Sequence, residues 1–183
     1  MTTPEDELRR VIAAAMPRLL AMPEAQAAAV PAPGKWSAKQ VIGHLIDSAS
    51  NNHQRFVRAQ FTDDLVFPGY QQDAWVAAQR YQAAPWPELV SLWQHFNLHL
   101  ARVIEAVPPD IRTRPRTRHN LHQLAWRPVA ESQPATLEYF MADYVGHLTH
   151  HLAQIFGSAW ERHQPPWGPA TQPIVAPAPR RQN

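Results

Sequence analysis

Two histidines four residues apart, His147 and His151, lie in a proline-free stretch near the end of a 183-residue chain. If that stretch is helical, both imidazoles share one face with their Cβ atoms about 5–6 Å apart, a natural chelate for a transition metal. Spacing alone is weak evidence, because His95 and His99 form a second pair of the same kind. Helical angles separate the two pairs. His147 and His151 flank an apolar stripe beside Phe140 and Tyr144, whereas His95 and His99 drift toward Arg102 and water. For His147 and His151 the residues themselves leave both metal ligation and ordinary interhelical packing open.

His44 strengthens the first pair. It falls about six residues after the start of an earlier helix, and His151 falls about six before the end of the last one; at a rise of 1.5 Å per residue these levels coincide only if the two helices are antiparallel. In a parallel pair His44 would miss the other two by roughly 6–12 Å. Three neutral imidazoles leave a coordination position open, as in a catalytic rather than a structural site. Asp143, one turn before His147, could accept a ligand's free ring N–H, although a surface carboxylate is the plain alternative. His150 points off the shared face. From His44 a polar line continues through Ser48, Asn51 or Asn52, and Arg55, with Asn97 on a neighbouring helix. These residues could line a pocket, or could be ordinary rim positions. Asp143 and Arg55 are the candidates for direct catalytic contact.

The elements that must carry these residues are marked by proline, which costs a helix interior roughly 3 kcal/mol. The 19 prolines avoid 34–67, 88–107 and 135–164. Each of these stretches repeats apolar residues at helical spacing. The second helix has a full start signal, with Ser37 as cap, Gln40 closing a capping box and Trp36 stapling onto Val41. It should run from Ala38 to about Gln60, burying Val41, Ile42, Leu45, Ala49 and Phe56 while Lys39, Asp47, Gln54 and Arg58 face water. A third helix starts near Pro85 or Pro87 and ends at Pro108-Pro109, burying Leu89, Trp93, Phe96, Leu100, Val103 and Val107. A fourth is capped by Thr136 and stopped by Gly157, with Leu137, Met141, Tyr144, Leu148, Leu152 and Ile155 inside. The first helix starts at Pro4 after Thr3, and Pro17 should kink or end it. Two long connections, 61–84 and 108–135, exceed what a bundle hairpin needs and allow crossovers.

Length suits one domain, expected over 1–163, followed by a tail at 164–183 that holds six prolines and is expected to be extended or disordered. Hydrophobic residues make up 45% and charged ones 17%, which places the chain among globular proteins rather than disordered ones. The absence of cysteine excludes disulfides, iron–sulfur clusters and a cysteine nucleophile, so a metal must rest on His, Asp or Glu. The acidic N-terminal stretch lacks an apolar leader and no run is long enough to span a bilayer, so a cytoplasmic, non-membrane protein is expected. The net charge of +2 comes largely from Arg112, Arg114, Arg116 and Arg118 and two tail arginines. We read these as a solvated loop and tail, with no nucleic-acid binding.

Three blocks resemble the DinB/YfiT-like superfamily of metal-dependent enzymes, which is grouped with bacillithiol- and mycothiol-dependent transferases. The stretch Gly34–Ser48 is similar to the family's helix start, and its first metal histidine falls on His44. The stretch Tyr144–Ile155 is similar to the closing helix, whose paired ligands fall on His147 and His151. Phe67–Trp75 resembles a family loop after the second helix, with Gln71 in place of an acidic residue; Tyr70 and Trp75 become pocket candidates through it. The resemblance covers roughly 34–157. It implies an all-α four-helix bundle with up-down-down-up connectivity and long crossovers, a zinc or nickel ion on the three histidines, and a homodimer.

The leading expectation is an enzyme in which the cation activates a low-molecular-weight thiol, supplied from solution, or a water, toward a small-molecule substrate. A metal-dependent hydrolase of a small ester or amide is the second reading, with Asp143 as its base. A non-catalytic, metal-stabilised dimeric binding module is the third.

Overall fold

The computed structural model describes residues 2–157 and Trp160. Four long helices carry a bundle: α1 (Pro4–Ala21), α3 (Ala38–Arg58), α5 (Trp86–Glu105) and α8 (Leu137–Phe156). The connections hold the short helices α2 (Glu24–Ala28), α4 (Gln72–Ala78), α6 (Pro109–Thr113) and α7 (Leu121–Leu124), with a 3-10 turn at Tyr81–Ala83. No strand forms among the described residues, only two isolated bridges.

Side-chain contacts fix the helix directions. Trp86 at the start of α5 donates its indole N–H to the Leu19 carbonyl near the end of α1 at 2.9 Å, so α1 and α5 are antiparallel. His44 meets His147 while Phe56, farther along α3, packs edge-on against Phe140 at 5.7 Å, so α3 and α8 are antiparallel. Arg112 links Glu5 to Glu138, at the starts of α1 and α8, and Arg18 lies over the Phe156 ring, at their ends; those two are parallel. Lys39 donates to the Ala84 carbonyl just before α5, and His53 lies 5.3 Å from His99, so α3 and α5 are also parallel. The order is therefore up-down-down-up. A parallel α3–α5 pair requires the connection 59–85 to run back along the bundle, which is why it is long.

The expected caps are present. Ser37 Oγ accepts from the Gln40 N–H and Gln40 accepts from the Ser37 N–H, completing the capping box. Thr136 caps α8 through the Tyr139 N–H, and Gly157 takes φ +70° at its end. Trp93, Tyr144, Phe56 and Phe140 fill the centre of the core. No helix among the described residues is long and apolar enough to cross a membrane. The tail expected over 164–183 lies outside the described residues.

Three local expectations are corrected. Helix α1 runs through Pro17 to Ala21. Pro17 and Ala13, whose carbonyl loses its donor, are both exposed, which leaves that carbonyl open to solvent, while Ala15 and Leu19 stay buried on the opposite face. Lys39 and Asp47 do not face water; the connection after α3 folds over them. Lys39 pairs with Glu24 as well as bonding Ala84, and Asp47 accepts from Tyr81 and Gln79. Within the arginine run only Arg114 and Arg118 are at the surface, paired with Asp63 and Asp64; Arg112 is buried against Glu5, and Arg116 is buried on the Ala59 and Ile111 carbonyls.

The two crossings are tied to each other. Leu65 donates to the Arg118 carbonyl and accepts from the Asn120 N–H, and the Asn120 amide bonds both backbone groups of Phe67. The segment 67–71 is thereby held along α3 before α4 begins.

Candidate metal centre

Helices α3 and α8 bring His44, His147 and His151 together, with one ring nitrogen from each lying within 4.8 Å of the others. His44 Nε2 is 3.3 Å from His147 Nε2. His147 Nδ1 faces the Ser48 hydroxyl at 3.5 Å, and His151 Nδ1 faces Gln154 Oε1 at 3.1 Å, which leaves the Nε2 of His151 for the cluster. Each ring thus turns its inner nitrogen toward a common point. His44 Nδ1 is buried without a hydrogen-bond partner.

These residues fit a divalent cation. Two nitrogens bound at about 2.0–2.1 Å to one tetrahedral ion stand about 3.3–3.4 Å apart, and the His44–His147 separation already has that value. The rings are also in the neutral form a metal needs. Burial, helped by the charge of His151, pushes His44 down to about 3. Burial takes His147 well below its ordinary value and His151 down to about 4.

These depressed values carry a stability prediction for the metal-free protein. Between the folded values and the ordinary 6.5, the unfolded chain binds protons that the folded one refuses, so stability rises with pH there and is lost on acidification from about 6.5 toward 4. Asp143, raised to about 6 by burial, and Asp47, also raised by burial, slope the other way, while His53 and His150, both lowered by burial, add to the slope of the three. Urea midpoints measured from pH 7 to 4 should fall with pH. The fall should flatten in a variant with all three histidines replaced by alanine; an unchanged slope in that variant would remove the imidazoles as its cause.

Around the rings the structure adds an aromatic wall that sequence reasoning missed. Trp36, expected only as a staple, lies 5.1 Å from the His44 ring and 6.5 Å from that of His151. Trp126 packs on His150 at 5.4 Å and sits so close to α8 that a Cβ at Gly146 would be 2.9 Å from its ring. The one available signal for Trp36 was its place just outside the cap of the His44 helix. Nothing local in the sequence marks Trp126.

The other candidates separate into two groups. Ser48, Asn52, Arg55 and Tyr70 continue from the histidines: Asn52 Nδ2 bonds the Ser48 carbonyl and hydroxyl at 2.9 and 3.3 Å, Arg55 reaches Asn52 Oδ1, and the Tyr70 hydroxyl shares Ser48. Trp75 packs beside Tyr70 at 4.9 Å and is itself exposed. The remaining residues are engaged elsewhere. Asn51 folds back on the Asp47 carbonyl, and Asn97 bonds Tyr144 and the Trp93 carbonyl inside the core. Asp143 does not support a ligand ring; its two oxygens accept the Trp126 and Arg127 N–H groups at 2.8 Å each, so the carboxylate holds the loop that carries Trp126. His95 and His99 are exposed and His150 stays outside the cluster.

The sequence pattern of the DinB superfamily matches residues 7–155, most of the chain and all three histidines. The chain belongs to the DinB superfamily. Among solved structures it is similar to YfiT from Bacillus subtilis, described as a probable metal-dependent hydrolase with an unusual four-helix bundle topology, at a TM-score of 0.67 and 21% identity over 87% of this chain and 84% of that one. At that identity the likeness establishes the shared bundle. No curated protein matches the chain. Within this DinB-superfamily bundle, the histidines of α3 and α8 form a group that could hold a metal ion.

Proposed function

We propose that this protein is a metal-dependent enzyme in which His44, His147 and His151 hold one divalent cation, zinc or nickel, and a low-molecular-weight thiol is the nucleophile. The observation that carries the reading is the convergence of three neutral imidazole nitrogens on one point. Bound there, the cation supplies Lewis-acid chemistry that lets a thiol or a water lose its proton near neutral pH. The chain's own residues do the rest. Ser48 orients the His147 ring, Trp36 shields the His44 and His151 rings from water, and the Tyr70 phenol, pushed up to about 12 by burial, stays protonated as a donor.

A thiol is favoured over water because its ordinary pKa of about 8.5 already lies close to neutral, so the metal has far less to lower than for water at about 15.7. No carboxylate joins the imidazole cluster among the described residues, and Asp143 is occupied by loop amides. Hydrolysis is the second reading, supported by the description of the similar YfiT.

Tag-free protein loaded with zinc or nickel, mixed with 2-mercaptoethanol and 1-chloro-2,4-dinitrobenzene, should release chloride at a rate that chelation abolishes. Turnover of nitrophenyl esters without thiol, equally sensitive to chelation, would replace the first reading by the second. Metal at a hundred times its dissociation constant should add about 2.7 kcal/mol of stability, roughly 5–10 °C in Tm. A melt that ignores metal would overturn both readings.

A further inference from the structure

Arg55 is a buried cation with no counter-ion in ion-pair range among the described residues. It is 6% exposed, on the same face of α3 as His44, Ser48 and Asn52. Two of its five N–H groups are used, Nη1 on Asn52 Oδ1 at 3.4 Å and Nη2 on the Pro68 carbonyl at 3.0 Å, both neutral acceptors. Its guanidinium lies 5.9 Å from the centre of the Phe140 ring. No carboxylate stands within ion-pair distance of it among the described residues. Arg112 has Glu5 in a two-pronged pair; Arg116 has no ion pair either, but it rests on the Ala59 and Ile111 carbonyls away from the histidines and feels Arg114, Asp63 and Asp64, whereas the ionisable group beside Arg55 is the Tyr70 hydroxyl.

A guanidinium taken out of water without an anion is costly, and a ligand that brings the missing charge offsets that cost. The position specifies the ligand. An unbroken line of contacts runs from the guanidinium through Asn52 and Ser48 to His147, so an anion on Arg55 would lie along the side of the metal cluster rather than at a separate site. The planar donor set suits a carboxylate.

We infer that Arg55 anchors a carboxylate on the molecule that reacts at the three-histidine centre, which makes the substrate or cosubstrate of this protein an organic anion. The inference rests on the reading of that centre as a metal site. Arg55 binds and orients; the reacting atoms lie at the histidines.

Isothermal titration of the zinc-loaded protein with 3-mercaptopropionate and with its amide tests this. The acid should bind at least tenfold more tightly, and the ratio should fall to about one in Arg55→Met, with the amide unchanged, and be partly kept in Arg55→Lys. Propionate and propionamide, the same pair without sulfur, show whether the carboxylate binds independently of the thiol. A ratio near one in the wild-type protein, no binding by any of the four, or a ratio unaffected by Arg55→Met would overturn the inference. A wild-type ratio near one overturns the inference whether or not Arg55→Met folds, and Arg55→Lys, which keeps the charge, gives a second variant on which the loss can be read. Cobalt-loaded protein keeps the two readings apart: a carboxylate preference with no thiolate-to-cobalt absorption band sinks the thiol chemistry and leaves the anchor standing.

Discussion

Replacing His147 with alanine should empty the centre. The wild-type protein, dialysed against a weak chelator, is expected to retain about one equivalent of metal, and His147→Ala less than a tenth. Its inner nitrogen lies 3.3 Å from that of His44 and its centroid 4.5 Å from that of His151. Without it two ligands remain, on different helices, with nothing to fix their separation. Losing even a supporting residue around a metal typically costs 10–100-fold, so losing a ligand should lower turnover by about a thousandfold or more. The metal-free fold should survive, since the removed ring is neutral and its polar contacts are only to Ser48 and to the neighbouring His44 ring. Elemental analysis with circular dichroism of both proteins checks this; equimolar metal in a folded His147→Ala would refute the ligand assignment.

The second large effect is expected one residue before His44. A Cβ added at Gly43 would stand 2.1 and 2.2 Å from the Cδ2 and Cγ atoms of Tyr81. These atoms lie close to the Tyr81 backbone, in the 3-10 turn that α3 and α5 hold, so the ring cannot swing aside as a flexible tip could. Moving it breaks the 2.7 Å bond from the Tyr81 hydroxyl to Asp47, a buried carboxylate whose Oδ2 already lacks a partner. Overpacking and an unsatisfied buried group together should cost Gly43→Ala about 3 kcal/mol or more. For a chain of this length that is about 10 °C in Tm, and the displacement of α3 next to His44 should weaken metal binding as well. A melting temperature within about 2 °C of wild type would show that the turn yields more easily than its packing implies.

These two sites differ in how far they could be read from sequence. The histidines were legible because helical period and capping chemistry are local: Ser37 and Thr136 set the phases of α3 and α8, and the phase puts His44, His147 and His151 at matching levels. The direction of every long helix followed from those phases together with the two overlong connections and the family resemblance. What local pattern cannot show is what a crossing lays on a helix. Lys39 and Asp47 sit on the polar side of α3 by period, yet the chain folds back over them and supplies Ala84, Tyr81 and Gln79 as partners. Asp143 had the right spacing from His147 to orient it, but a loop reached it first with two free N–H groups. Gly43 reads in sequence as an indifferent small residue inside a helix. Its necessity appears only when a ring from 38 positions later is seen against it.

The separation of the ligands along the chain has a consequence for how the protein matures. His44 and His147 are 103 residues apart, and their helices meet only after both crossings have been laid down. During synthesis the growing polypeptide therefore passes through most of its length with a single imidazole of the eventual trio available, which holds an ion poorly. An ion held by all three rings would have to wait for the last helix to leave the ribosome and dock. An ion held there would act as a clasp across a closed circuit of about a hundred residues; a covalent tie of that length restricts an unfolded chain by about 4.7 kcal/mol.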